Sequence, residues 1–360
     1  MALAASYIDN VYGVEISKES LENSLKGQFG DKASVDDNGD GSFLITIGES
    51  QYYLGEDGKI IGNENMIKIS SVEDLKAFRD NVNSGNSYEG KYVYLANNIT
   101  LDSSEQWEPI GVYQQDSTNP DDETNIPFKG IFDGCFNTIS GIYTNSSLKN
   151  RGLFGFINEA TIKNLGIVNG NIQGTSRTGA IVGYAYQNSK IINCYNSSDI
   201  NSTDNFVGGI VGFINTGTII ENCYNNGNVI SSGSVGGIAG GMENATIKNC
   251  YNAGIIEGNV VGGISFAVYT NSSIENCYNI GNLKATTLAL SINTSGNQLV
   301  TFKNNYYLEN TVNGSNDIYP QEECKVKNSQ EMKELYSTLG EAFKKDTANI
   351  NNGYPILKWQ

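Results

Sequence analysis

The sequence predicts a mainly β fold: a right-handed parallel β-solenoid with a small N-terminal α+β unit and a C-terminal helix/strand cap. Three observations carry this. A Cys-Tyr-Asn element recurs in "INCYNSSDI" (192–200), "ENCYNNGNV" (221–229), "KNCYNAGII" (248–256) and "ENCYNIGNL" (275–283), with its cysteines 29, 27 and 27 residues apart. A glycine element recurs in step: "GAIVG" (179–183), "GGIVG" (208–212), "GGIAG" (236–240) and "GGISF" (262–266). Glycine is abundant, with 41 residues, and proline scarce, with 5, which suits many short strands joined by tight turns. A fixed period of this length marks a stacked array of repeats.

Four segments follow from the pattern: 1–62, an α+β unit; 63–127, the N-terminal cap of the solenoid; 128–310, the regular coils; 311–360, the C-terminal cap. In the first, Ser17 is placed to cap a helix carrying Leu21, Leu25 and Phe29 on one face, and "FLITI" (43–47) alternates as a strand. "QYYLGEDGKII" reads as a second strand, a turn and a short third. The intervening "DDNGDG" (36–41) opens like a calcium loop, but its twelfth position is Ile47, where such a loop needs glutamate, so a polar turn is expected. In the second, "MIKISSVEDLKAFRDNVNSG" predicts a strand and then a helix capped by Ser70 with Glu73, with Leu75 and Phe78 inward.

Within the coils, residues at matching positions should form ladders, coil upon coil at about 4.8 Å. Ile191, Ile220, Ile247 and Ile274 form one inward ladder, and Ile210, Ile238 and Ile264 another. Glu221, Lys248 and Glu275 then face solvent. Strict alternation would turn the cysteines outward, yet the preceding coil holds Leu165 at that position. A bend at Asn193, Asn222, Asn249 and Asn276 resolves the conflict, because Asn tolerates the left-handed backbone region. Cys194, Cys223, Cys250 and Cys277 are therefore expected inside, and Tyr195, Tyr224, Tyr251 and Tyr278 on the outside face or its edge. The C-terminal segment carries an amphipathic helix with Met332, Leu335 and Leu339 on one side, and a final apolar strand. It is expected to cover the last coil, since an open end exposes core and strand edges.

Net charge is −16, from 23 basic and 39 acidic residues, which disfavours nucleic acid and anionic membrane surfaces as partners. The chain has no histidine, and so lacks the commonest general base and metal ligand. No apolar run approaches the roughly 20 residues of a membrane span. No signal peptide is visible in "MALAAS", whose Met-Ala opening is consistent with replacement of a natural N-terminal anchor.

The glycine element, with "WEPIG", "FKGIFDGCFNTISGI", "GLFGFINEATIKNLGI" and "NNGYPILKW" in order, resembles GLUG-motif repeats over roughly 66–360. Such repeats occur in bacterial surface proteins, including adhesins and non-catalytic parts of secreted immunoglobulin A metallopeptidases. The H-E-x-x-H zinc signature of those peptidases has no counterpart here. "VYGVEISKESLENSLKGQFGDKASVDDNGDGSFLITI" with "QYYLGEDGKI" is similar to type IV pilin-like and pseudopilin-like proteins of Gram-positive bacteria. The resemblances imply a secreted, non-enzymatic adhesin on the cell surface or a pilus. It would engage pilins or other surface proteins through 1–62 and a host or environmental glycan or protein through the solenoid.

For ligand contact, the candidate residues are Tyr195, Tyr224, Tyr251 and Tyr278, exposed aromatics beside amides. A calcium site is the alternative use of Asp116, Asp121, Asp122 and Glu123, four carboxylates in eight residues. The rival function is a polysaccharide lyase or glycoside hydrolase, an activity common on β-helices. A hydrolase needs two carboxylates facing each other at about 5.5 or 6.5–9.5 Å, whereas the coil carboxylates are scattered singly.

Overall fold

The computed structural model describes residues 17–38, 41–55, 60–115, 117–145, 147–290, 293–294, 299–313 and 323–360. The chain opens with helix α1 (Lys18–Phe29), whose N-terminus is capped by Ser17 accepting from the Ser20 amide, and whose Leu21 and Leu25 are buried. These leucines pack on a four-stranded antiparallel meander: Ala33–Asp37, Phe43–Ile47, Ser50–Leu54 and Ile60–Gly62. Its first strand was not expected from the sequence. The "DDNGDG" turn falls partly outside the described residues, at 39 and 40.

Helix α2 (Val72–Asn83) begins one residue later than expected. Ser71 accepts from the Asp74 amide, while Asp74 Oδ2 accepts from the amides of both Ser70 and Ser71. The shorter aspartate reaches back where Glu73 does not. Leu75 and Phe78 are buried as predicted.

From Met66 to Lys327 the strands stack in parallel, and Phe343–Lys344 then pairs antiparallel with Ile356–Leu357. A nine-stranded sheet runs from Met66–Ile69 to Thr301–Lys303, a six-stranded sheet from Phe154–Asn158 to Asn293–Thr294, and a larger third sheet carries the tyrosines. Nine strands at about 4.8 Å give a rod of roughly 38 Å. Ile162, Ile191, Ile220, Ile247 and Ile274 are cross-strand partners in register and fully buried. Ile210, Ile238 and Ile264 are buried too, so both predicted inward ladders exist. On the solvent side Glu221 and Lys248 pair at 3.0 Å between coils.

The asparagine bends are real. Asn164, Asn193, Asn222, Asn249, Asn276 and Asn304 have φ between 51° and 57°. Asn193 Nδ2 donates to Asn164 Oδ1 at 3.0 Å, and Asn276 Nδ2 to Asn249 Oδ1 at 3.3 Å. The bend turns the next residue inward, and all four repeat cysteines have no exposed surface. Each thiol donates to the carbonyl two residues earlier, at 3.1–3.2 Å, and burial pushes the Cys194 and Cys250 thiols up. A second asparagine ladder was not expected. Asn196, Asn225, Asn252 and Asn279 are buried, and the first three Nδ2 groups each donate to the next Oδ1 at 2.7–2.8 Å. The paired glycines mark close approach: a Cβ on Gly209 would lie 2.2 Å from the Gly237 carbonyl oxygen.

The C-terminal segment departs from expectation. Its α-helix spans only Ser329–Lys333 and continues as a 3₁₀ turn, Leu335–Ser337. Met332, Leu335 and Leu339 do share one buried side, which packs on the tyrosine ladder from Tyr224 to Tyr306 and so covers the side of several coils, the last included. Strand Cys324–Lys327 pairs with Asn305–Leu308 and so extends the tyrosine-bearing sheet. The described tail is thus a lateral strap. Its buried side chains and the tyrosines form one apolar cluster.

Candidate functional site

Tyr195, Tyr224, Tyr251 and Tyr278 stand on the outer face, as predicted, and form one stack. Their ring centroids are 5.0, 5.0 and 4.9 Å apart with planes within 7° of parallel. Parallel faces are not the arrangement aromatic pairs prefer in isolation. The in-register coils impose it here.

The expectation that these four tyrosines contact a ligand is corrected for most of the ladder. Tyr251 and Tyr278 are fully buried and Tyr224 nearly so, beneath Leu335, Leu339, Phe343 and Leu357. Asn351 Nδ2 donates to the Tyr278 hydroxyl, which donates to the Pro355 carbonyl, and Gln360 is within hydrogen-bond distance of the Tyr251 hydroxyl. Burial pushes both phenols far up. The strap occupies the surface a ligand would need.

Only the end of the ladder is open. Tyr195 has Gly166 as its partner in the preceding coil, and a Cβ there would sit 2.3 Å from the Tyr195 ring. The ring therefore rests on backbone, and no further aromatic continues the stack. Beside it lies a cleft of about 290 Å³, bounded by Phe136, Tyr195, Ile350 and Trp359, with Asn193 at its wall. Phe136 is 50% exposed and has φ 59°, an uncommon backbone state for a bulky residue. Trp359 centres the cleft: its ring lies 5.9 Å from Phe136, 6.3 Å from Tyr195 and 5.6 Å from Tyr224. Its indole N–H donates to the Asn222 carbonyl at 3.0 Å, which fixes the ring plane. Asn193 is 2% exposed, and its Oδ1 has no hydrogen-bond partner. A buried acceptor without a donor is costly.

Sequence reasoning found Tyr195 but missed Phe136, Asn193 and Trp359. A signal existed: "NLGI" stands where later coils have "NCYN", so the tyrosine column had to end at Gly166.

The acidic loop does not gather its carboxylates. Asp122 Oδ1 accepts from the Thr124 amide and hydroxyl, which hold its carboxyl below the usual range. Asp121 Oδ2 accepts from the Tyr186 hydroxyl, and Glu123 is exposed. Asp116 lies outside the described residues. Among the described residues no three metal-ligating side chains converge. Asp121 and Asp122 thus each accept from a different partner, which separates those two charges.

Comparison with known proteins adds two findings. The family model of the GLUG motif matches residues 174–201, one coil of this solenoid. The crystal structure of a putative immunoglobulin A1 protease from Bacteroides ovatus is similar, with a TM-score of 0.61 and 21% identity. The match covers 81% of this chain and 92% of that one. No curated protein matches the sequence. The similar structure corrects the expectation that the chain is not an enzyme: this fold runs through nearly the whole of a chain that bears a protease name.

Proposed function

We propose that this GLUG-repeat β-solenoid is an adhesin-like, ligand-binding protein of the bacterial surface, and that the cleft between Phe136, Tyr195 and Trp359 is its ligand site. Attachment to pilins or other surface proteins through the N-terminal unit belongs to the same proposal. One observation carries the reading: three partly exposed rings converge on one cleft. Ring faces supply apolar contact at little entropic cost. A glycan, which offers flat C–H faces, matches them.

A glycan and extracellular-matrix binding screen tests this with the whole chain, Phe136→Ala and Trp359→Ala. Either substitution should weaken the best ligand by about tenfold or more, as for a central aromatic anchor. Unchanged binding in both variants would remove the cleft from the reading.

Proteolysis is the second reading, favoured by the name of the similar structure. Ser42 and Lys163 lie 2.7 Å apart, but both are buried and the lysine is paired with Asp133. Incubating the chain with immunoglobulin A and with casein tests this reading. Cleavage lost on Ser42→Ala would place it first.

A further inference from the structure

A second face, on the six-stranded sheet, carries an unusual cation. Phe156, Tyr184 and Phe213 are register partners on successive coils, and the column then drops to Gly241 and Ala267. Arg177 lies across this column. Its guanidinium carbon is 4.7 Å from the centre of the Tyr184 ring, 5.2 Å from Tyr113 and 6.0 Å from Phe213. Of the three arginines, Arg79 is paired with Asp80 and Arg151 with Glu108. The Arg177 guanidinium has no carboxylate or hydrogen-bond acceptor among the described residues, and the side chain is half-buried. An unpaired cation is conspicuous in a chain of net charge −16.

The backbone points the same way. Bridges from Arg151 to Thr178 and from Thr178 to Val207 place Asn150, Arg177 and Phe206 in one corner column. All three have φ between 51° and 62°, a region that suits Asn far better than Arg or Phe. At two successive coils the favourable residue is thus replaced by one whose side chain lies on the aromatic face. Phe206 packs edge-on to Phe213 at 4.9 Å, and Tyr269 stands 6.5 Å from Phe213 on the far side of Gly241. Local strain held by surrounding packing is a mark of functional positions.

We propose that this face binds a carboxylate-bearing saccharide. Arg177 supplies paired N–H donors to the carboxylate, and Phe206, Tyr186 and Tyr269 meet the sugar rings. Ring faces hold the guanidinium plane by cation–π attraction and leave its edge free, the geometry that a planar carboxylate matches in two parallel hydrogen bonds. Arg177 shares its coil with Tyr186, and Phe206 and Tyr269 follow on later coils, which suits a polymer carrying rings beside a carboxylate. Asp121, bonded to Tyr186, and Glu243, beside Asn215, border the face and confine the anion to Arg177.

The test is the affinity of the full chain for oligogalacturonate, its methyl ester and poly-glutamate, in wild type and Arg177→Asn. Asn suits the corner backbone, so the variant should melt no lower than wild type while losing about tenfold or more in oligogalacturonate affinity. Wild-type binding should weaken with salt, and the ester should bind weakly to both proteins. Phe136→Ala with Trp359→Ala should leave oligogalacturonate binding intact, which separates this face from the cleft. Equal affinity of wild type and Arg177→Asn for oligogalacturonate would overturn the proposal. So would no wild-type binding of it, or equal or tighter binding of poly-glutamate.

Discussion

Lys163 Nζ lies 3.3 Å from Asp133 Oδ2, and neither side chain reaches solvent. Asp133 also accepts from the Tyr92 hydroxyl, the Cys135 amide and Asn164 Nδ2. Lys163 donates to Ser42 Oγ at 2.7 Å and sits over the Tyr53 ring, which stacks on Tyr92 at 4.3 Å. The pair therefore lies in the joint between the N-terminal meander and the first coils. Removing one partner of a buried pair leaves an uncompensated charge, at a cost of about 3–5 kcal/mol. Lys163→Ala should lose stability on that scale in urea unfolding, and Lys163→Met with Asp133→Asn should lose less. Equal losses would mean that the charge itself does not matter there.

Acid should loosen the strap before the coils. Asp346 is buried, which alone would raise its carboxyl, but the amides of Asn351, Gly353 and Ile350 donate to it and hold it below the usual aspartate range. A depressed folded value means the stabilisation is present above the unfolded value of about 3.9 and is lost as pH falls through the folded one. Trp359 emission should change below about pH 4 while far-ultraviolet circular dichroism holds. Asp346→Asn should show the loosened emission already at neutral pH. If emission and circular dichroism change together in wild type, the strap is not a separate unit.

Thiol chemistry should single out Cys135. It is exposed, whereas the four repeat cysteines and Cys324 are buried. Desolvation at its sulfur and the neighbouring Asp133 carboxylate push its thiol up to about 12. The thiolate is the reactive form, so native labelling should be slow at pH 8 and rise about tenfold per pH unit. Peptide mapping should find the label at Cys135. Rapid labelling of Cys194, Cys223, Cys250 and Cys277 in native protein would refute their place in the core.

By itself the sequence determined most of what repeats, although the inner ladder of Asn196, Asn225, Asn252 and Asn279 was not read from it. A ladder residue meets its own counterpart one coil away, so the local period settles register, inward isoleucines and cysteines, and the asparagine bends. The conflict between alternation and Leu165 was enough to locate those bends. Tertiary structure alone decided what meets across long separations. Trp359 reaches Asn222, the strap covers Tyr251 and Tyr278, and the meander buries Lys163. Lys163 shows why: its register partner is Ile192, followed by Glu221, Lys248 and Glu275, all at least partly open to solvent. Local sequence gives Lys163 the same surface address. Only docking of a segment more than a hundred residues away removes its water, and no periodicity encodes that contact.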